Sequence, residues 1–195
     1  MGKGTKMKVY QLLSDSKNYS FFLEQDKNVD NTFFKKYWEC KSFDLTTYEP
    51  VVFKLHPGDN RLKNYKMDLS SFDSGLIIFS EKAIEVLKDI LEKYGQIVPI
   101  ITDSKRKKFF GFYANKNTFD DSIINLNKSD FGQYEKGKVF RRVVLNNNYP
   151  KEDYIFTLAD YPMCCFVTTK FKNLVKKHDL KGFDFSDHHE VLVED

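Results

Sequence analysis

The chain has 195 residues, 41% hydrophobic and 30% charged, inside the globular range and outside that of disordered chains. Thirty-one basic against 28 acidic residues leave a formal charge of +3, too even for a protein whose main business is gripping phosphates. Aromatics reach 16%, with 19 Phe and 11 Tyr, while alanine stands only at Ala83, Ala114 and Ala159; this excludes an all-helical bundle and leans toward sheet.

Residues 1–6, Met1-Gly-Lys-Gly-Thr-Lys6, read as a leader or expression remnant, and residues 7–195 as one domain. The amino terminus lacks the apolar stretch of a signal peptide, and no run of 18 apolar residues offers a membrane span. Three cysteines, Cys40, Cys164 and Cys165, are odd in number and sparse, which fits a reducing compartment and a cytoplasmic chain.

Residues 7–13 alternate as a first strand. Residues 14–60 are aromatic and irregular, read as short strands and turns with one helical turn near 31–38. Within them Val51–His56 is a strand, and Pro57-Gly58-Asp59-Asn60 is turn chemistry. Residues 75–79 form a short apolar run that reads as a buried strand. Ser80 then sits where an N-cap belongs and Glu81 falls in the first turn. Ala83, Ile84, Leu87, Ile90, Leu91 and Tyr94 lie on one helical face, and Gly95 is expected to close the helix in the left-handed conformation. Residues 96–102 and 108–114 then pair as a hairpin across the polar tip Asp103-Ser-Lys-Arg-Lys107.

A polar stretch, 115–137, is broken by Ile123 and Ile124. Residues 138–145 alternate like a strand, 146–150 turn, and 154–158 return as another strand. A second strand-then-helix unit begins at Cys164, with Thr168 as cap and Phe171, Leu174 and Val175 on one face. The expected fold is α+β: a mainly antiparallel sheet, with mixed strand directions admitted, carrying helices over 81–94 and roughly 169–178.

Chemistry-bearing patterns are few. His188-His189 beside Asp187 and Glu190 suggests a metal, yet adjacent histidines on a strand point to opposite faces; a polar tail is favoured, and no metal or cofactor is expected. Cys164-Cys165 reads as a pair of inert small hydrophobes. Asp120, Asp121 and Asp130 read as carboxylates capping turns. Phosphate-loop, dinucleotide, nucleophile-elbow and zinc signatures do not occur in the sequence, so an enzyme reading has little support. Charge is more suggestive. Lys105, Arg106, Lys107 and Lys108 cluster at the hairpin tip, and Lys170, Lys172, Lys176, Lys177 and Lys181 populate the second helix and its end. Residues 182–195 carry Asp184, Asp187, Glu190, Glu194 and Asp195 and no Lys or Arg. Solvated faces and an acidic tail are the plain account; electrostatic complementarity to a protein partner is the sharper one. Nucleic-acid binding is disfavoured by the modest net charge.

Three stretches, Met7-Lys-Val-Tyr-Gln-Leu, Phe72-Asp-Ser-Gly-Leu-Ile-Ile-Phe-Ser-Glu-Lys-Ala, and Phe166-Val-Thr-Thr-Lys-Phe-Lys before Leu180-Lys-Gly-Phe-Asp-Phe185, give a pattern that resembles bacterial immunity protein family eleven. That family accompanies polymorphic toxins of contact-dependent and type VI-type antagonism between bacteria. The likeness covers nearly the whole chain from Met7, except 18–66. It implies a non-enzymatic inhibitor that binds a cognate toxin domain and occludes it, without membrane or nucleic acid. The expected contacts are the tail carboxylates Asp184, Asp187, Glu190 and Glu194, favoured for a basic toxin, or the tip cations Lys105, Arg106 and Lys107. Rivals are an enzyme reversing the toxin's modification, with Asp120, Asp121 and His188 as first suspects, and a plain interaction module that dimerises through a sheet edge.

Overall fold

In the computed structural model, which describes residues 7–25, 33, 44–71, 75–134, 137–159 and 161–194, two sheets share a helix-filled core. The strands are β1 (Val9–Gln11), β2 (Leu13–Ser14), β3 (Phe21–Glu24), β4 (Val51–His56), β5 (Leu69–Ser70), β6 (Ile77–Ser80), β7 (Gln96–Thr102) and β8 (Phe109–Tyr113). They continue as β9 (Thr118–Phe119), β10 (Asp130–Tyr134), β11 (Gly137–Arg142), β12 (Val144–Asn146), β13 (Ile155–Leu158), β14 (Tyr161–Thr168), β15 (Phe183–Asp184) and β16 (Glu190–Glu194). Helix α1 (Glu81–Tyr94) follows β6 and α2 (Thr169–Lys177) follows β14. The α+β class stands, but the single expected sheet is two six-stranded ones, ordered β12-β16-β1-β14-β13-β9 and β3-β4-β7-β8-β6-β5. Most pairs are antiparallel, and β12 with β16, β13 with β9 and β4 with β7 run parallel. The expected hairpin is β7–β8, in the register Ile97↔Phe112.

Side-chain alternation gives each sheet two buried faces. In the first, Tyr10, Ile155, Cys165 and Val167 point inward, while Val9, Phe156, Cys164, Phe166 and Val191 point to an outer cluster with Phe140, Leu145 and Tyr149. In the second, Ile77, Phe79 and Phe112 meet that inner core, and Phe22, Phe53, Leu55, Ile78 and Val98 form a third cluster on the other side. The edge strands of this second sheet meet: Phe22 N–H on β3 donates to Ser70 Oγ on β5 at 2.8 Å. The sheet thus curls into a nearly closed barrel around the third cluster. Both helices pack between the sheets, burying Ala83, Leu87 and Leu91 from α1 and Phe171 and Val175 from α2. Each such leucine or phenylalanine is worth about 1.5–3 kcal/mol.

The helix boundaries follow the sequence signals, with two differences in how they are made. Ser80 caps α1, its Oγ accepting from Ala83 N–H at 3.2 Å. Thr168 occupies the cap position of α2 without a capping bond; its buried hydroxyl donates to the Asp153 carbonyl at 2.8 Å instead. Gly95 is extended (φ −170°) rather than left-handed. Glycine suits it for closeness: a Cβ there would lie 2.2 Å from the Tyr113 carbonyl oxygen and 2.5 Å from the Phe112 ring. Left-handed backbone occurs instead at Gly182 (φ 87°), packed on Met67. The strand expected over 138–145 breaks at Val143 into β11 and β12. The helical turn expected near 31–38 falls outside the described residues apart from Phe33, which is buried in the third cluster.

Candidate interaction surface

Asp68, buried just before β5, organises the hairpin tip. Its carboxylate accepts from Ser80 Oγ at 2.7 Å, Lys107 Nζ at 2.8 Å and Lys181 N–H at 2.9 Å, tying the α1 cap, the tip and the segment after α2 together. Burial pushes its carboxyl up, but the Lys107 ammonium and the other donors outweigh that and hold it below the usual carboxylate range. Lys107 also donates to the Met67 carbonyl at 2.7 Å. The sequence placed Lys107 among the outward cations of the tip; the structure turns it inward, because a buried carboxylate needs a partner. Lys105 and Arg106 remain exposed, and Lys108 lies 3.5 Å from Glu81.

The acidic tail is no free tail. Its end is β16, seated between β12 and β1, and Phe183–Asp184 pairs with β2. The carboxylates are correspondingly committed. Glu190 meets Lys8 Nζ at 2.6 Å and Glu194 meets Lys128. Asp184 accepts from Ser186 N–H at 2.8 Å and lies 3.2 Å from His189 Nε2. Burial raises the Asp184 carboxyl, but Ser186 and the His189 ring prevail and hold it low. Asp187 stays exposed at the start of a short 3-10 turn, 187–189, that carries both histidines. Of the four tail carboxylates, three thus serve contacts within the chain.

The acid–base suspects are scattered. Asp120 caps its own turn through Ser122 N–H at 2.9 Å, which keeps its carboxyl low; Asp121 pairs with Lys138 at 2.5 Å; Asp130 holds the Arg141 guanidinium in two bonds of 2.6 and 3.0 Å. His188 is exposed on the rim of a cleft of about 100 Å³ between β11 and the outer face of the first sheet. Gln11 and Cys164 line that cleft, and Gln11 Nε2 lies 2.9 Å from Cys164 Sγ. Arg142 on its wall donates to the Lys128 carbonyl at 3.0 Å. Cys164 and Cys165 are buried on opposite faces of β14, and burial pushes the Cys165 thiol far up. Among the described residues no three His, Cys, Asp or Glu side chains gather as a metal centre needs, and no helix is long and apolar enough to cross a membrane.

A different surface stands out on the barrel. Where α1 and the first sheet do not cover it, the outer face of β3–β4–β7 presents Val52 and Ile101, paired in register and 44% and 51% exposed. Lys54 and His56 continue the same face of β4, with Phe21 stacked on the His56 ring at 6.2 Å. The strip ends at the hairpin tip and the loop 57–67, which joins it: Tyr65 OH donates to Asp103 Oδ1 at 2.8 Å. No family model and no curated protein matches the chain. The likeness to immunity family eleven therefore rests on the quoted motifs, and the surface has to be judged on its chemistry. Exposed aliphatic side chains on a sheet face, next to exposed cations, are what a protein interface is made of. Reading by sequence found Lys105 and Arg106 but missed Val52, Ile101 and Leu62. The one available signal was apolar residues at both alternating positions, in Val51-Val52-Phe53 and Ile100-Ile101, where a half-buried strand has polar ones.

Proposed function

We propose that the protein is an immunity protein, which binds the toxic domain of a cognate bacterial toxin in the cytoplasm and blocks it by occlusion. The observation that carries this reading is the exposed aliphatic pair Val52 and Ile101 on the outer face of a barrel whose described inner side chains pack into one cluster. A rigid scaffold with one apolar face left open is suited to stable association, because little is lost to ordering on binding. The family likeness supplies the kind of partner.

The first test is whether a large reading frame with a toxin-like carboxy-terminal domain lies beside the gene; its absence counts against the reading. The second is co-expression with that domain. Protection from growth arrest, and a one-to-one complex on size exclusion with roughly nanomolar affinity, are the expected results. Protection at a small fraction of the toxin's concentration, without a complex, would overturn occlusion and point to an enzyme that reverses the toxin's modification.

A further inference from the structure

We infer that the docking surface is the tip end of the barrel, and that its partner is a protein face rich in Asp and Glu. Two segments far apart in sequence meet there. The loop 57–67 supplies Arg61, Lys63 and Lys66, all exposed, and the tip supplies Lys105 and Arg106. Tyr65 to Asp103 and Lys107 to the Met67 carbonyl hold the segments against each other. Among the described residues none of these five cations has an ion-pair partner. Asp59 and Asp103 are the carboxylates of the two segments, so the end is net basic. By contrast, the lysines around α2 are largely spent internally: Lys170 on Glu152, Lys172 on the Tyr10 ring and hydroxyl, Lys181 on Asp179.

The apolar part decides the class of partner. The most exposed large hydrophobics at this end are Leu62 at 61%, Val52 and Ile101, all aliphatic, while the rings beside them, Phe21 on His56 and Tyr65 on Asp103, are half-buried and engaged within the chain. A single-stranded nucleic acid is gripped by cations together with aromatic platforms for its bases. An aliphatic strip rimmed with free cations instead matches an acidic protein surface with an apolar centre. The surface is also preformed, since Lys107, the hinge between tip and core, is locked on buried Asp68. This inference deepens the immunity reading by placing its contact on the barrel end instead of the carboxy-terminal segment.

The probes are polyglutamate and the 4:1 glutamate–tyrosine copolymer of equal length, titrated in low salt and followed by amide NMR shifts and by calorimetry. Shifts are expected at 61–66, 104–106 and along β4 and β7, with the tyrosine copolymer binding more tightly. The triple variant Lys63→Glu, Lys66→Glu, Lys105→Glu should lose roughly tenfold or more in affinity. Val52→Asp should erase the copolymer's advantage, and Lys176→Glu with Lys177→Glu should change nothing. Equal losses from the α2 pair, shifts centred elsewhere, or tighter binding of an oligothymidylate of equal charge would overturn the inference. The two proposals fail separately. Acidic probes that map to the barrel end while the toxin forms no complex sink immunity alone. A toxin complex indifferent to the triple variant sinks the surface alone.

Discussion

Replacing Asp68 by alanine tests whether the ion pair under the tip organises the structure. The carboxylate is 2% exposed and receives three donors, from Ser80, Lys107 and Lys181. Removing one partner of a buried pair costs about 3–5 kcal/mol when the other charge is left stranded. Here Lys107 is 28% exposed and can swing toward water, which recovers part of that. Ser80 and Lys181 N–H lose one charge-assisted bond each, worth about 1.5–3 kcal/mol without being additive. A net loss of about 3 kcal/mol follows, or roughly 6–12 °C in Tm for a chain of this length. Chemical and thermal unfolding of wild type and Asp68→Ala at pH 7 measure it. The Asp68 carboxyl is held low, so its stabilisation is full above the unfolded value near about pH 4 and fades as pH falls through the lower folded value. The gap between the two proteins should therefore narrow below about pH 4. A gap under about 1 kcal/mol at pH 7, or one that widens in acid, would refute the reasoning.

Gly95→Ala should destabilise by about 2 kcal/mol or more in urea unfolding, because the added methyl meets the Tyr113 carbonyl rather than a yielding side chain. A neutral result would show that the chain after α1 gives way. Deleting residues 190–195 should abolish cooperative unfolding, since β16 lies between β12 and β1 in their sheet and pairs with both; a truncated chain with native circular dichroism and Tm would restore the free tail. In a Cys40→Ser, Cys164→Ser background, an aqueous thiol reagent should label Cys165 only after unfolding, at a rate that tracks denaturant, whereas fast labelling of the native protein would contradict its place in the inner core.

Local signals were legible and pairing was not. Helix α1 follows from a cap, an acidic first turn and one apolar face, all within fifteen residues, and its bounds match. The strand β4 and the β7–β8 hairpin are equally local. The division into two sheets could not be read, because β1 finds its neighbours at Thr168 and Val191, the other end of the chain. The carboxy-terminal misreading has the same origin. Composition made 182–195 look like a solvated tail, yet Val191 is buried beside Val9, and each flanking glutamate found a lysine from a distant segment. Charge counted along a sequence says nothing about which charges are already answered in space.

That distinction also separates the candidate surface from the other exposed apolar strand positions. β-branched residues are common on strands for backbone reasons, so an exposed valine or isoleucine is by itself a weak sign of an interface. Val139 and Leu192 are 48% and 53% exposed, but they sit beside charges that are neutralised within the chain: Val139 near Arg141, held by Asp130, and Leu192 between Glu190 and Glu194, held by Lys8 and Lys128. Val52, Ile101 and Leu62 lead instead to cations that, among the described residues, have no ion-pair partner. Exposed apolar area costs solubility and gains nothing in folding, whereas the hydrated cations beside it keep the chain soluble and give the surface a sign. A partner that supplies aliphatic contact and carboxylates together buries the first and complements the second, which is the argument for the barrel end over the acidic segment.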